Sequence, residues 1–328
     1  MTGGSPKRLA VLAGCNYPNS GHELQGCIND VLAMRQLLVK RLGFNEGDIE
    51  LLIDAPNSKV LPTGSNIKKA LLGMIERAKA GDILFFHFSG HGTRYPLHKD
   101  KRRQEEAVVP CDFNLINDVD FRHIVNRLPV DATLTILSDS CHSGGLIDKE
   151  KEQIGPSTVA PRSSPSPSLV ATPKAIHFDS VLQHLTSVTN LATTDIGAHL
   201  LHAFSEDASL EFQPSTGAPL PQKLKADEGI LLSGCQANEY SADMSPSEGG
   251  GKAHGAFTSA VLEVMGETKP EEWLSNKEVV MRARGVLKEE GFRQQHPCLY
   301  CSDENAAAAF LGMRAAAARD KVSGQQLK

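Results

Sequence analysis

The sequence predicts an α/β domain in which helices cover both faces of a mainly parallel sheet. Two runs, 82–88 and 132–137, are nearly continuously apolar, which is typical of strands buried on both faces. Around them lie segments whose apolar residues recur at helical spacing. Because alternating strands and helices build parallel sheets, one such layered domain accounts for most of the chain.

The first elements alternate in the expected way. We predict strands at 8–14 and 49–53, with a helix at 29–42 between them. A second helix at 65–79 carries apolar residues at helical spacing. Ser65 is its candidate N-cap, because a serine hydroxyl can accept a hydrogen bond from the first helical turn.

The composition divides the remaining chain. After the first 155 residues it changes to Pro, Ser, Thr and Ala, which cannot bury enough apolar surface to fold. We predict a large portion at 1–155, a partly disordered linker at 156–228, and a smaller portion at 229–328 that completes the same sheet. A disordered tail is expected from about Ala306. Further elements are expected as helices at 178–186, 256–265 and 276–290 and a strand at 229–233.

Charge and cysteine content exclude several classes of function. The net charge is −5 and basic residues are scattered, so no nucleic-acid partner is expected. No apolar run is long enough to span a bilayer, and Met1–Arg8 lacks the apolar core of a signal peptide. We therefore expect a cytoplasmic or nuclear protein with no membrane partner. The odd number of cysteines, seven, favours reduced thiols over a disulfide frame.

Two reactive side chains follow the two most apolar strands. His91 and Cys141 come directly after these strands, 50 residues apart in the chain. In open α/β sheets, ligands bind beyond the carboxyl ends of the strands. A lone cysteine at a strand end is usually a small buried apolar residue, and a lone loop histidine is usually a surface residue. Their occurrence together, with glycines beside both, instead favours a thiol nucleophile and its base.

Seven ordered blocks of sequence resemble one family, the metacaspases, and specifically their plant-like type II group. The resemblance implies a caspase-like α/β sandwich and a cysteine endopeptidase. It also implies a self-processed zymogen of the kind associated with programmed cell death. The blocks are NYPNSGHELQGCINDV (16–31), HFSGHGTR (87–94), EAVVPCDFNLINDVDFR (106–122), LSDSCHSGG (137–145), GLIDKEKEQIGPS (145–157), GILLSGCQANEYSAD (229–243) and QHPCLYCSD (295–303).

The resemblance implies a catalytic dyad and a substrate pocket. Cys141 would be the nucleophile and His91 the acid and base. The pocket residues carried over from the family motifs are Cys27, Asp30, Ser89 and Asp139.

Two carboxylates in one pocket would select a lysine or arginine immediately before the scissile bond, the P1 residue. The alternatives are a helix N-terminal carboxylate for Asp30 and a loop cap for Asp139. The expected partners are protein substrates with a basic P1 residue, and a monomer is expected.

The resemblance further implies self-cleavage and a calcium site. Arg162 and Lys174 are the candidate processing residues, and Lys174 is preferred because it directly precedes the next ordered segment. No cofactor is required for thiol chemistry, but calcium is a candidate activator because oxygen ligands suit it. The alternative for its ligands is a solvated acidic surface. The candidate calcium ligands are Glu105, Asp118, Asp120 and Asp148.

Two rival functions remain open on the sequence. The chain could be a caspase-fold binding or scaffold protein without productive turnover, because a fold alone does not establish activity. It could also be a metal-organised module that uses Cys298, Cys301 and His296. This set lacks a fourth ligand at zinc-finger spacing, so we expect it to be core and strand edge.

Overall fold

The computed structural model describes most of the chain, including both strand ends that carry His91 and Cys141. The described residues are 5–97, 100–142, 146–147, 151–155, 171–214, 229–236, 238–246, 251–269 and 271–313.

Strands and helices alternate through the described residues. The strands are β1 (Arg8–Gly14), β2 (Ile49–Ile53), β3 (Ile83–Ser89), β4 (Gly92–Leu97), β5 (Asp100–Val108), β6 (Ile116–Asn117), β7 (Thr133–Asp139), β8 (Glu152–Ile154), β9 (Ala171–Pro173), β10 (Gly229–Ser233), β11 (Ala242–Met244), β12 (His254–Gly255) and β13 (Cys298–Tyr300). The helices are α1 (Cys27–Arg41), α2 (Gly64–Arg77), α3 (Asp118–Val125), α4 (Phe178–Thr189), α5 (Ile196–Phe204), α6 (Ala256–Glu267), α7 (Asn276–Glu289) and α8 (Asp303–Ala307). Short 3₁₀ turns lie at Glu46–Asp48, Ser205–Asp207 and Phe310–Gly312.

The predicted mainly parallel sheet is confirmed. Among the described residues its strand order is β2-β1-β3-β7-β10-β13-β8. The first five of these strands run parallel, and β13 pairs antiparallel with both β10 and β8. Strands from both sides of the predicted linker therefore lie in one sheet.

Helices cover both faces of this sheet. Side chains alternate across it, so Leu9 and Val11 of β1 face one apolar cluster while Ala10 and Leu12 face the other. The first cluster includes residues of α2, α3, α4 and α5. The second includes residues of α1, α6 and α7.

Two smaller sheets lie beside the central one. β4, β5 and β6 form an antiparallel sheet that begins at Gly92, directly after His91. β9, β11 and β12 form the second sheet, in which β9 pairs antiparallel with β11.

Some local predictions were wrong. Helix α2 begins at Gly64 and is capped by Thr63, whose hydroxyl accepts a hydrogen bond from the Asn66 N–H at 3.2 Å. Ser65 is therefore inside the helix. The tail was predicted to begin too early, because Ala306 lies in α8 and Phe310 is buried in the second apolar cluster.

The predicted linker is only partly described. Residues 156–170 and 215–228 lie outside the described residues. Between them, α4 and α5 pack on the core, and the carboxylate of Asp195 caps α5.

Candidate active site

The strand register brings the His and Cys segments together. Ser89 ends β3 and pairs with Asp139, the last residue of the neighbouring strand β7. His91 and Cys141 each follow two residues later and both are buried. A Cβ atom at Gly92 would lie 1.7 Å from the Cys141 carbonyl oxygen. Only glycine permits this close approach of the two backbones.

The imidazole of His91 is held in one orientation. Its Nε2 lies 2.8 Å from the carbonyl oxygen of His22, and because a carbonyl can only accept, Nε2 carries the proton. Nδ1 is buried and has no hydrogen-bond partner among the described residues, so it is the basic nitrogen. Burial lowers the pKa of His91 to about 4, which keeps the ring neutral at pH 7.

Tyr17 supports this histidine from a second side. Its ring centroid lies 4.8 Å from that of His91. Its hydroxyl accepts a hydrogen bond from the His91 backbone N–H at 2.8 Å and donates one to the Val109 carbonyl at 2.5 Å. Tyr17 therefore fixes the backbone of the histidine segment.

The sulfur of Cys141 lies in a hydrogen-bonded environment. It accepts from the Ser241 N–H at 3.0 Å. The thiol of Cys235 also contacts it, and this hydrogen bond, followed by burial, raises the pKa of Cys235. Neither Ser241 nor Cys235 was identified from the sequence as a neighbour of Cys141.

The backbone of Lys174 lies directly over these groups. Its carbonyl oxygen accepts hydrogen bonds from the Gly92 N–H at 3.0 Å and the Cys141 N–H at 3.1 Å. Its own N–H donates to the Ser241 carbonyl at 2.9 Å. The carbonyl thus lies between two donors, the arrangement that stabilises an oxyanion in acyl transfer.

The side chain of Lys174 occupies an acidic pocket. Its Nζ lies 3.3 Å from Oδ2 of Asp30, 3.3 Å from Oδ2 of Asp139 and 2.9 Å from the Ser89 hydroxyl. The side chain is completely buried. Lys174 was expected within a partly disordered linker, but these ionic and backbone contacts hold it inside the protein.

The charges in this buried ion cluster shift one another's pKa values. Burial would lower the pKa of Lys174, but Asp139, Cys27 and Asp30 outweigh it and raise that pKa well above its usual value. Burial would raise the pKa of Asp139, but the Lys174 cation and hydrogen bonds from neighbouring residues lower it overall. For Asp30, burial dominates and the pKa is raised.

Backbone and hydroxyl donors hold both carboxylates in place. Asp30 accepts from the Gly255 N–H at 2.8 Å, and Asp139 accepts from the Thr258 N–H at 2.8 Å and the Ser241 hydroxyl at 2.6 Å. A Cβ atom at Gly255 would lie 2.1 Å from the bound amine. Gly255 and Thr258 were not identified from the sequence, because no local pattern in the two-residue strand β12 or in the first turn of α6 marks them as pocket residues.

The remaining predicted pocket residue is Cys27. It is buried at the start of α1, and this burial raises the pKa of its thiol although the Lys174 cation opposes the shift. Cys27 lies one turn before Asp30 in α1, and its thiol is hydrogen-bonded to the Ser89 side chain, so it lies beside the same pocket. The structure therefore brings together His91, Cys141, Cys27, Asp30, Ser89, Asp139 and Lys174, whereas Arg162 lies outside the described residues.

The described candidate calcium ligands are engaged in other contacts. Asp118 pairs with Arg122 at 2.9 Å. Asp120 is buried and accepts hydrogen bonds from the N–H groups of Asn117 and Leu210.

Glu105 lies on β5, and Asp148 is outside the described residues. Among the described residues, no group of three or more His, Cys, Asp or Glu side chains could hold a metal ion. The described acids therefore do not fit an open calcium cage.

The Cys298 and Cys301 segment is part of the core. Cys298 lies in β13, and its thiol donates to the His296 carbonyl at 3.4 Å. Nδ1 of His296 lies 2.6 Å from a carboxylate oxygen of Glu239. These contacts support the expected structural role over a metal module.

No helix among the described residues is long and apolar enough to cross a membrane.

Comparisons with known proteins give one consistent family. The family model described as "Caspase domain" matches residues 7–307. Metacaspase-9 of Arabidopsis thaliana is 55% identical over 319 residues, which cover 93% of this chain and 97% of that protein. Metacaspase-6 of the same plant is 37% identical, with 93% and 99% coverage. A crystal structure of a protein from Geobacter sulfurreducens aligns with a TM-score of 0.57 and 19% identity over 90% of this chain and 94% of that one, which shows the fold alone.

Proposed function

The chain belongs to the metacaspases, a group of caspase-domain cysteine peptidases, and we propose that it cleaves proteins after lysine or arginine and processes itself after Lys174. Cys141 is the nucleophile and His91 the acid and base. The observation that carries this proposal is the position of Lys174. Its carbonyl lies between two N–H donors while its amine lies between two carboxylates, as a P1 residue requires.

The proposed reaction uses the side chains of His91 and Cys141 and two backbone N–H groups. Nδ1 of His91 takes the proton from the Cys141 thiol, and the thiolate attacks the carbonyl carbon of Lys174. The N–H groups of Gly92 and Cys141 bind the resulting oxyanion. His91 then protonates the departing nitrogen of Ala175, and a thioester remains. Water, deprotonated by His91, hydrolyses the thioester.

The acidic pocket supports selection of a cationic P1 side chain. Two buried carboxylates without a cation would repel each other and lose solvation, and an uncharged P1 residue would not offset this free-energy cost. Lysine offsets it as a point charge and arginine can do so through several N–H groups. An acidic P1 residue would add a third negative charge and is excluded.

The same contacts support a zymogen. Until the chain is cut, Lys174 fills the pocket and residues 171–173 pair with β11 along the groove. A second substrate cannot occupy these positions at the same time. Cleavage after Lys174 would free this segment to leave.

The test is hydrolysis of fluorogenic peptides that end in Lys, Arg or Asp. Wild type, Cys141→Ala and Lys174→Gln are compared, each with calcium and with a chelator. We expect Lys and Arg peptides to be cut by the wild type only, and the Ala175 N-terminus to appear only there. Cleavage after Asp would overturn the pocket assignment. Absence of all cleavage by the processed wild type would favour the scaffold function.

A further inference from the structure

The residues that follow the scissile bond are also bound. Gly92 and Ala175 form a parallel β-bridge. The Ile176 N–H donates to the Gly92 carbonyl at 3.0 Å, and the Ile176 carbonyl accepts from the Thr93 hydroxyl at 2.7 Å. Both polar groups of the Ile176 backbone are thus held by the start of β4, directly after His91.

Two side chains of this segment are buried, and the side chains on either side of each are more exposed. Of residues 172–177, only Lys174 and Ile176 are buried. Ile176 is 2% exposed and belongs to the apolar core cluster. Pro173 before the scissile bond and His177 beyond it are exposed. The groove therefore encloses side chains at P1 and at the second residue after the cut, P2′.

We propose that Gly92 and Thr93 form a subsite on the primed side, the side that binds residues after the scissile bond. This subsite binds the P2′ residue of substrates and prefers an apolar, branched side chain there. This inference rests on the proposed function, because it treats residues 171–176 as a substrate bound in place. Gly92 and Thr93 belong to the enzyme whichever substrate is bound. A charged P2′ side chain would lose its hydration among the apolar residues of the cluster that contains Ile176.

The enzyme's own segment competes for the subsite after the cut. Val181 and Leu185 of α4 and Leu200 of α5 are buried in the core, so α4 and α5 stay packed when the Lys174–Ala175 bond is broken. Residues 175–177 then form a short free end. Substrates that bind the primed side must displace this end, so weakening it will raise their apparent affinity.

The test uses two internally quenched peptides that share a P1 lysine and differ only in Ile or Ser at P2′. A coumarin amide with the same unprimed residues has no P2′ group and reports the amount of active processed enzyme. We expect kcat/KM for the Ile peptide to exceed that for the Ser peptide by about tenfold. Equal values for the two peptides, with the coumarin amide cut normally, would overturn the subsite and leave the peptidase assignment intact.

The variant Thr93→Val tests whether the Thr93 hydroxyl binds the P2′ residue. It removes the hydroxyl that donates to the P2′ carbonyl, so quenched peptides should lose about fivefold in kcat/KM relative to the coumarin amide. Thr135→Val, at a buried position on β7, is the matched control and should leave that ratio unchanged. A ratio that falls equally in both variants would contradict the role of Thr93.

A second variant tests the competing segment without altering β4. Ile176→Ser, processed to the same extent, should lower KM for the Ile peptide severalfold because its own free end binds weakly. An unchanged KM would contradict the self-occupied subsite. A processed wild type that cuts neither peptide nor the coumarin amide would remove the peptidase assignment and the subsite together.

Discussion

Replacement of Asp139 by asparagine tests the proposed selection of a basic P1 residue. Asp139 is completely buried and lies 3.3 Å from the Lys174 amine. Asparagine keeps the shape and an oxygen that can accept from the Ser241 hydroxyl or the Thr258 N–H, but it removes one of two charges that face the amine. The change therefore alters the pocket's charge more than its volume.

The expected magnitude follows from the remaining contacts. Removing one partner of a buried ion pair costs about 3–5 kcal/mol. Asp30 and the Ser89 hydroxyl still face the amine, so the lower end applies. A loss of about 3 kcal/mol corresponds to about 150-fold in kcat/KM.

The assay compares a P1 lysine peptide with a P1 norleucine peptide, which has a similar chain and no charge. We expect Asp139→Asn to reduce the ratio of their kcat/KM values by about 150-fold. Asp82→Asn is the control, because Asp82 is also buried but accepts hydrogen bonds from the N–H groups of Lys7 and Lys79 at the start of β3. A fall of less than about fivefold in the ratio, or equal loss for both peptides, would refute the argument.

Three further outcomes are expected. Gly255→Ala should abolish cleavage after Lys, because its added methyl would lie 2.1 Å from the bound amine. Gly73→Ala on α2 is the control and should retain cleavage, because a methyl added there would meet no described atom within 4 Å outside its own helix. Equal cleavage rates in the two variants would contradict a pocket that encloses the P1 amine. Tyr17→Phe should lower kcat about tenfold with little change in KM, because the hydroxyl holds the His91 backbone rather than the substrate; a change confined to KM would contradict this role. Burial lowers the pKa of His91 to about 4 and that of His87 to about 3, so the unfolded chain binds more protons below pH 6.5. Above pH 6.5 the two histidines do not lower the free energy of unfolding. As the pH decreases toward their folded pKa values, that free energy falls, by about 2 kcal/mol per histidine at pH 5. Urea unfolding at pH 7 and pH 5 measures this loss, and His87→Gln should reduce the difference by about 2 kcal/mol; no reduction would contradict a neutral buried His87.

Local pattern was sufficient for most of the secondary structure. The strands at Arg8–Gly14, Ile49–Ile53 and Gly229–Ser233 begin and end where the sequence predicts. Their apolar runs are short and bounded by glycine or polar residues, so alternative boundaries would bury polar groups. The start of α2 was misplaced by one residue because Thr63 and Ser65 are both good caps, and only the backbone conformation of Thr63 selects between them.

The sequence by itself determined the fold class, the two strand ends and the residue types that follow them. This was possible because buried strands and family motifs are patterns of consecutive residues. Only the tertiary structure decided what meets at those ends. Ser241, Gly255 and Thr258 come from loops and elements about 100 residues or more from Cys141, and strand register, which local sequence does not encode, brings them to Asp30 and Asp139.

The position of Lys174 shows the difference most clearly. Its surroundings in the sequence are rich in Pro, Ser and Thr, which predicts an accessible segment. In the folded chain the two buried carboxylates require a cation. Pairing of β9 with β11 places the Lys174 amine between them. The sequence thus determined which lysine was a candidate for cleavage, whereas long-range charge pairing decided that it is enclosed in the site.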